Sequence, residues 1–221
     1  MSYFSQEFIQ FFIDLSRQNN TTWFNEHRAE YEKFVKKPFA VFVQDLIHQI
    51  NKYDPEVAIK AGDAILRINR DIRFAKDKTP YNTHMAAVIS RTGRKDKSYP
   101  GIYIQFSSEN ILFFGGAYQP DSTHLEKIRE LIANDLKSFA KCYQNKKFVE
   151  KFGIIQGEQS KRLLKSQMSI KEKEPLIANK QFFWNASLES SWITQPKLME
   201  KLMDFYLASK PLNDFLVQAW K

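Results

Sequence analysis

The hydrophobic period changes twice along this chain, and this change is the strongest constraint on its fold. Near the N-terminus, apolar residues such as Phe8, Phe11, Phe12 and Leu15 recur at helical spacing. Between residues 64 and 118 they recur at every second position, which is typical of strands. After Pro120 the helical spacing returns. The chain therefore places one block of strands between two blocks of helices.

The block of strands has short links and no helical crossover. Four segments have strand character, namely Leu66–Phe74, Met85–Arg91, Ile102–Ser107 and Ile111–Tyr118. The link Ser108-Glu109-Asn110 is short enough for a hairpin. Strands joined in this way favour an antiparallel meander over a parallel sheet. The sequence predicts an α+β class with an antiparallel sheet of about four strands at residues 64–118, packed by N-terminal and C-terminal helices.

One domain is predicted over residues 1–221, helical at 1–55, with sheet and basic loop at 60–118, and helical again at 121–221. No linker rich in Pro, Gly or Ser divides it. The 43% hydrophobic and 26% charged residues suit a globular protein. The N-terminus lacks a signal-peptide pattern, and charges occur too often for a membrane span. We expect a cytoplasmic protein without a membrane partner.

The positive charge is concentrated in one stretch. The formal net charge is +8, and residues 60–100 contain ten basic and four acidic side chains, a net charge of +6. A local excess of this kind points to an anionic partner. The alternative interpretation is a solvated face that only aids solubility.

The stretch is centred on the string Arg-Ile-Asn-Arg-Asp-Ile-Arg-Phe-Ala-Lys-Asp-Lys-Thr-Pro-Tyr at positions 67–81. Guanidinium groups bind phosphate or carboxylate through two parallel hydrogen bonds, and lysine adds a mobile charge. The candidate ligand-binding residues are Arg67, Arg70, Arg73, Lys76 and Lys78. Alternation places Arg70 on the apolar face of the predicted strand, where an arginine must be paired or line a cavity.

Four residues in and after the string are candidates for proton transfer. Asp71 and Asp77 either orient the arginines or act as bases, and Tyr81 or His84 would move a proton. The competing interpretation is that Arg–Asp pairs fasten the sheet to a helix. The four histidines have no metal-ligand spacing, so no metal site is predicted. Nucleotide-binding and hydrolase motifs are absent from the sequence, and no cofactor is assigned.

Three functional hypotheses follow. The first is an enzyme or binding protein for a phosphorylated or carboxylated small molecule. The second is a non-catalytic module that binds nucleic acid or an acidic protein, with Arg91, Arg94, Lys95 and Lys97 extending the basic face. In the third, the arginines are structural and the working surface lies elsewhere. Nothing in the sequence predicts an oligomeric state.

Several residues also resemble a known family. Trp23-Phe24, the 67–81 string, Gly115-Gly116 and Ile128-Arg129 occur in the order typical of a bacterial conserved-hypothetical family, domain of unknown function 2461. The resemblance covers nearly the whole chain, and the 67–81 string is its most specific part. From Gly157 onward the match is looser, because Lys165-Ser166-Gln167-Met168 stands where the family typically has Pro-Lys-Gly. The resemblance implies a single α+β domain and no particular reaction.

Overall fold

The computed structural model describes residues 2–221 and contains one four-stranded antiparallel sheet with helices on both sides of it in sequence. The strands lie in the order β1-β2-β3-β4. Their bounds are His84–Ile89, Gly101–Ser107, Asn110–Ala117 and Phe182–Glu189. The predicted α+β class with a four-stranded antiparallel sheet is confirmed.

The helices before the sheet are α1 (Gln6–Arg17), α2 (Thr21–Glu26), α3 (Arg28–Glu30), α4 (Lys37–Asn51) and α5 (Ala61–Ala64), with a π-helical segment at Tyr31–Lys36. Those after β3 are α6 (Ser122–Asn134), α7 (Leu136–Gln144), α8 (Lys146–Phe152), α9 (Lys165–Lys171) and α10 (Leu198–Val217). Short 3₁₀ turns occupy Gly93–Lys95, Pro175–Ala178, Ser190–Thr194 and Gln218–Trp220. Helices α8 and α9 lie in a polar, lysine-rich region at residues 143–174.

One strand was predicted in the wrong place. Residues Leu66–Phe74 form no strand. This part of the chain has two isolated β-bridges, Ile65–Ala87 and Asn69–Tyr81. The carboxylate of Asp71 accepts the Arg73 backbone N–H at 3.3 Å, and that of Asp77 accepts the Thr79 N–H at 2.9 Å. Such aspartate turns compete with strand pairing for backbone donors. The fourth strand is β4, which lies within the block predicted to be helical.

The chain divides into two compact units. The first comprises Met1–Arg94, Tyr103–Phe113 and Ser187–Met203, and the second comprises Lys95–Ile102, Phe114–Ala186 and Asp204–Lys221. The predicted organisation as one domain over 1–221 stays a prediction.

In the first unit, the core is built on the apolar faces of α1 and α4. All four α1 residues of the N-terminal pattern are buried, and so are Phe39, Phe42, Val43, Leu46, Ile47 and Ile50 of α4. Phe106 of β2 packs edge-on against Phe39, with ring centroids 5.5 Å apart. Aromatic contacts of this geometry add to the free energy gained by burying the rings.

In the second unit, two glycines admit a tryptophan. Gly115 and Gly116 lie on β3, and a Cβ atom at Gly115 would collide with the indole of Trp184 on β4. Gly116 has φ +107° and abuts the carbonyl of Phe182, so no larger residue fits there. Burial alternates without a break from Asn110 to Ala117.

Candidate anion-binding loop

The 67–81 string, here called the basic loop, is an irregular segment, and hydrogen bonds join its two ends. The Arg70 N–H donates to the Pro80 carbonyl at 2.9 Å, and the Asn82 N–H donates to the Ile68 carbonyl at 2.8 Å. With the Asn69–Tyr81 bridge, these bonds close the loop at its base. Residues 71–79 therefore project as a closed turn from a fixed base.

Tyr81 anchors that base inside the first unit. The Asn19 side chain donates to the Tyr81 carbonyl at 2.8 Å and accepts the Tyr81 N–H at 3.1 Å. The Tyr81 ring stacks on Phe24, with centroids 4.0 Å apart and planes 16° apart, and is buried. The tyrosine predicted to transfer a proton is thus placed in an aromatic cluster. Asn19 had not been singled out from the sequence.

Arg70, which alternation in the predicted strand placed on the apolar face, is half-buried and paired. Its guanidinium lies 2.5 Å from an Asp77 oxygen and donates to the Thr79 carbonyl at 3.1 Å and to the Thr79 hydroxyl. The Thr79 N–H and hydroxyl also donate to the Asp77 carboxylate, each at 2.9 Å. The Thr79 backbone bond, then Arg70, lower the pKa of Asp77 to about 2. This triad braces one side of the loop.

Asp71 and Arg73 form a second, exposed pair. Arg73 donates to the two carboxylate oxygens through Nε at 3.0 Å and Nη2 at 2.7 Å. The hydrogen bonds from Arg73 lower the pKa of Asp71, and the pair raises the pKa of Arg73. Both side chains face solvent, where water screens the attraction, so the pair adds little to the stability of the fold.

The three remaining cations of the loop differ in how they are held. The Lys78 ammonium donates to the Ile72 carbonyl at 2.9 Å, which closes the turn from the opposite side. Arg67 and Lys76 are exposed, and neither side chain makes a hydrogen bond or an ion pair with another of residues 2–221; the Asn82 side chain donates to the Arg67 backbone carbonyl at 3.4 Å. The loop thus presents five cations against two carboxylates, a net charge of +3.

Phe74 is the residue that the sequence pattern placed least well. In the predicted strand Leu66–Phe74, alternation puts Phe74 on the same apolar face as Arg70, yet its side chain is 96% exposed. The Arg73 guanidinium lies 5.9 Å from its ring centroid, within the range of a cation–π contact. The sequence carried no signal for this exposure.

His84 is the first residue of β1 and is half-buried. Burial lowers its pKa, so the neutral imidazole is favoured at pH 7. Within the described residues, no hydrogen bond or ion pair links His84 or the Tyr81 hydroxyl to the charged side chains of the loop. The proton-transfer roles of Asp71, Asp77, Tyr81 and His84 stay predictions.

The proposed extension of the basic face is partly neutralised. Arg91 lies 3.2 Å from Asp54 and 2.5 Å from Glu56, and Arg94 donates to the Ile65 carbonyl. Lys95 and Lys97 are exposed residues of the second unit.

A different arginine is buried in the second unit. Arg129 of α6 is only 5% exposed and donates to Glu126 at 2.6 Å and to the Ser160 hydroxyl at 2.7 Å. It also donates to the Ile177 and Asn179 carbonyls, at 3.1 and 3.3 Å. These acceptors use four of its five N–H groups, so the arginine fastens neighbouring segments within its unit.

Among residues 2–221, no group of three or more His, Cys, Asp or Glu side chains is arranged to hold a metal ion. None of the helices formed by these residues is long and apolar enough to cross a membrane.

The chain is similar to a family of conserved hypothetical proteins. A family model described as conserved hypothetical protein (DUF2461) matches residues 7–215, nearly the whole length. No curated protein shows significant similarity to the chain.

Proposed function

The chain belongs to the DUF2461 family of conserved hypothetical proteins, and we propose that it binds a phosphate- or carboxylate-bearing ligand through the exposed cations of the basic loop. The observation that supports this best is that some charged side chains of the loop pair with one another, while others stay at the surface. Arg70, Asp77 and Thr79 brace the loop internally. Arg67, Arg73 and Lys76 remain at the surface, where an anion reaches them.

The bracing favours binding because it fixes the cations before a ligand arrives. Loops that must be ordered on binding lose affinity to conformational entropy, and a prefolded loop avoids that loss. Asp71 holds the Arg73 fork in a defined orientation while occupying the place of an incoming anion. A phosphate that displaced Asp71 would meet a guanidinium already oriented for two hydrogen bonds.

Binding is better supported than proton transfer by these side chains. A carboxyl group whose pKa is about 2, as at Asp77, is a weak base at neutral pH. The lowered pKa of Asp71 has the same consequence. The hydrogen bonds that lower these pKa values are the ones that orient the arginines.

The test is calorimetric titration of the full-length protein with sodium tripolyphosphate at low salt, about 50 mM. The variant Arg67→Gln/Lys76→Gln removes two exposed charges that have no described ion pair. At about 0.7 kcal/mol for each exposed contact, we expect binding about tenfold weaker.

The matched control is Lys37→Gln/Lys52→Gln, which removes two exposed charges at the ends of α4 in the same unit. It lowers the net charge equally and should leave the affinity nearly unchanged. If both double variants weaken binding equally, the affinity depends only on the overall charge of the protein and not on the loop. A wild-type protein that does not bind tripolyphosphate at low salt would refute the proposal.

A further inference from the structure

The exposure of Phe74 is unusual for a residue on a braced loop. Its ring is 96% exposed although the loop base is packed in the first unit. Leaving a phenylalanine side chain in water forgoes the free energy that its burial would provide. The residues around it are held by the Lys78 bond to the Ile72 carbonyl and by the Asp71–Arg73 pair. The loop therefore holds an apolar ring outward in the midst of its cations.

We propose that the basic loop binds single-stranded nucleic acid, with a base stacked on the Phe74 ring and the flanking phosphates held by Arg67, Arg73 and Lys76. This inference rests on the proposed function, because it names the class of anion that the loop binds. A ring with cations on both sides of it in sequence matches a strand that alternates bases with phosphates.

The chemistry favours a single strand over a duplex or an isolated phosphate. Phosphate alone would use the cations and leave Phe74 in water. A duplex keeps its base faces stacked on one another, so no face is open to the ring. A single strand offers both an open base and a neighbouring phosphate, and Arg73, 5.9 Å from the ring, is placed to contact both.

The competing occupant is an anionic membrane surface, which also attracts cations and an apolar ring. Membrane attachment through side chains is typically made by an amphipathic helix with a broad apolar face. The residues flanking Phe74 are Arg73 and the half-buried Ala75, so a single large apolar side chain is exposed at this place. This arrangement favours stacking on a base, and the membrane becomes an outcome of the test.

The experiment measures fluorescence anisotropy of a labelled oligothymidylate of about twelve nucleotides with the full-length protein. An abasic strand of equal length has the same phosphates and no bases. We expect the thymidylate to bind about 5- to 150-fold more tightly, the range that one stacked base gives. Phe74→Ala should remove this difference without changing the affinity for the abasic strand, and Phe74→Trp should retain it.

The contributions of the cations and of the Phe74 ring to binding differ in their dependence on salt concentration. Phe74→Ala should leave the slope of log affinity against log salt unchanged, while Arg67→Gln/Lys76→Gln should make it shallower by about 1.4, since two phosphate contacts are lost. Tyr53→Ala is the matched control, because it removes another exposed ring of the first unit outside the loop. Its affinity should equal that of the wild type.

Two outcomes would overturn the inference while leaving the proposed function standing. Equal binding of both strands, unaffected by Phe74→Ala, would show anion binding without stacking. Binding to phosphatidylserine vesicles that requires Phe74, with no preference for bases, would assign the ring to a membrane. Failure of tripolyphosphate and of both strands to bind would refute the inference and the proposed function together.

Discussion

The basic loop and the surroundings of Arg129 both pair arginine with carboxylate, yet the arginines differ in whether they remain accessible to a ligand. Arg129 is buried and donates to four acceptors, two of them backbone carbonyls. Arg73 in the loop is exposed and is held by one aspartate. Because Arg129 is buried, it holds together segments of its unit. Because Arg73 is exposed, another anion could take the place of its carboxylate partner.

Arg129→Ala should have the largest effect on folding. The change leaves the Ile177 and Asn179 carbonyls and the Ser160 hydroxyl without their donor, and unsatisfied buried groups are costly. We expect a loss of about 3 kcal/mol in the free energy of unfolding, measured by urea denaturation. Arg129→Lys should recover little, because one ammonium cannot reproduce the planar fork. A loss below about 1 kcal/mol would mean that the two regions do not differ as described.

Arg70→Ala should have an intermediate effect. Arg70 is partly buried and braces the loop through Asp77 and Thr79. Its loss should lower the free energy of unfolding by about 1–2 kcal/mol and weaken tripolyphosphate binding, because Arg67, Arg73 and Lys76 are then less ordered. Urea denaturation and calorimetry check the two effects. Undiminished tripolyphosphate affinity would separate the bracing from the binding.

Asp71→Asn should change affinity more than stability. The exposed pair with Arg73 contributes little to folding, so the free energy of unfolding should change by less than about 0.5 kcal/mol. Removing the competing carboxylate should tighten tripolyphosphate binding about two- to fivefold, as measured by calorimetry. Weaker binding would instead mean that Asp71 is needed mainly to orient Arg73.

The smallest effect concerns pH. The pKa of Asp77 is about 2 in the folded protein against an ordinary value of 3.8, so its ionised form stabilises the fold above pH 3.8. This contribution should disappear as the pH falls from about 4 towards 2. A carboxyl-detected NMR titration should find the low pKa, and Arg70→Ala should raise it. An Asp77 pKa near its ordinary value would mean that Arg70, Asp77 and Thr79 do not form the triad in solution.

Much of the fold was predictable because it depends on local patterns. The stripes of α1 and α4, the β2–β3 hairpin and the α+β class follow from periodicity over short windows. The 67–81 string was also identifiable, because its charges lie close together in sequence. Where each of its side chains points was not predictable, since that depends on bonds such as Lys78 to Ile72.

The sequence by itself determined the class of fold, the helical cores and the place where positive charge is concentrated, since these depend on residue type and spacing. Only the tertiary structure decided that 66–74 is not a strand and that Phe182–Glu189 is one. It also decided that Phe74 is exposed while Arg129 is buried. Side-chain hydrogen bonds to backbone groups compete with strand pairing, and burial depends on residues distant in sequence, so neither can be inferred from periodicity alone.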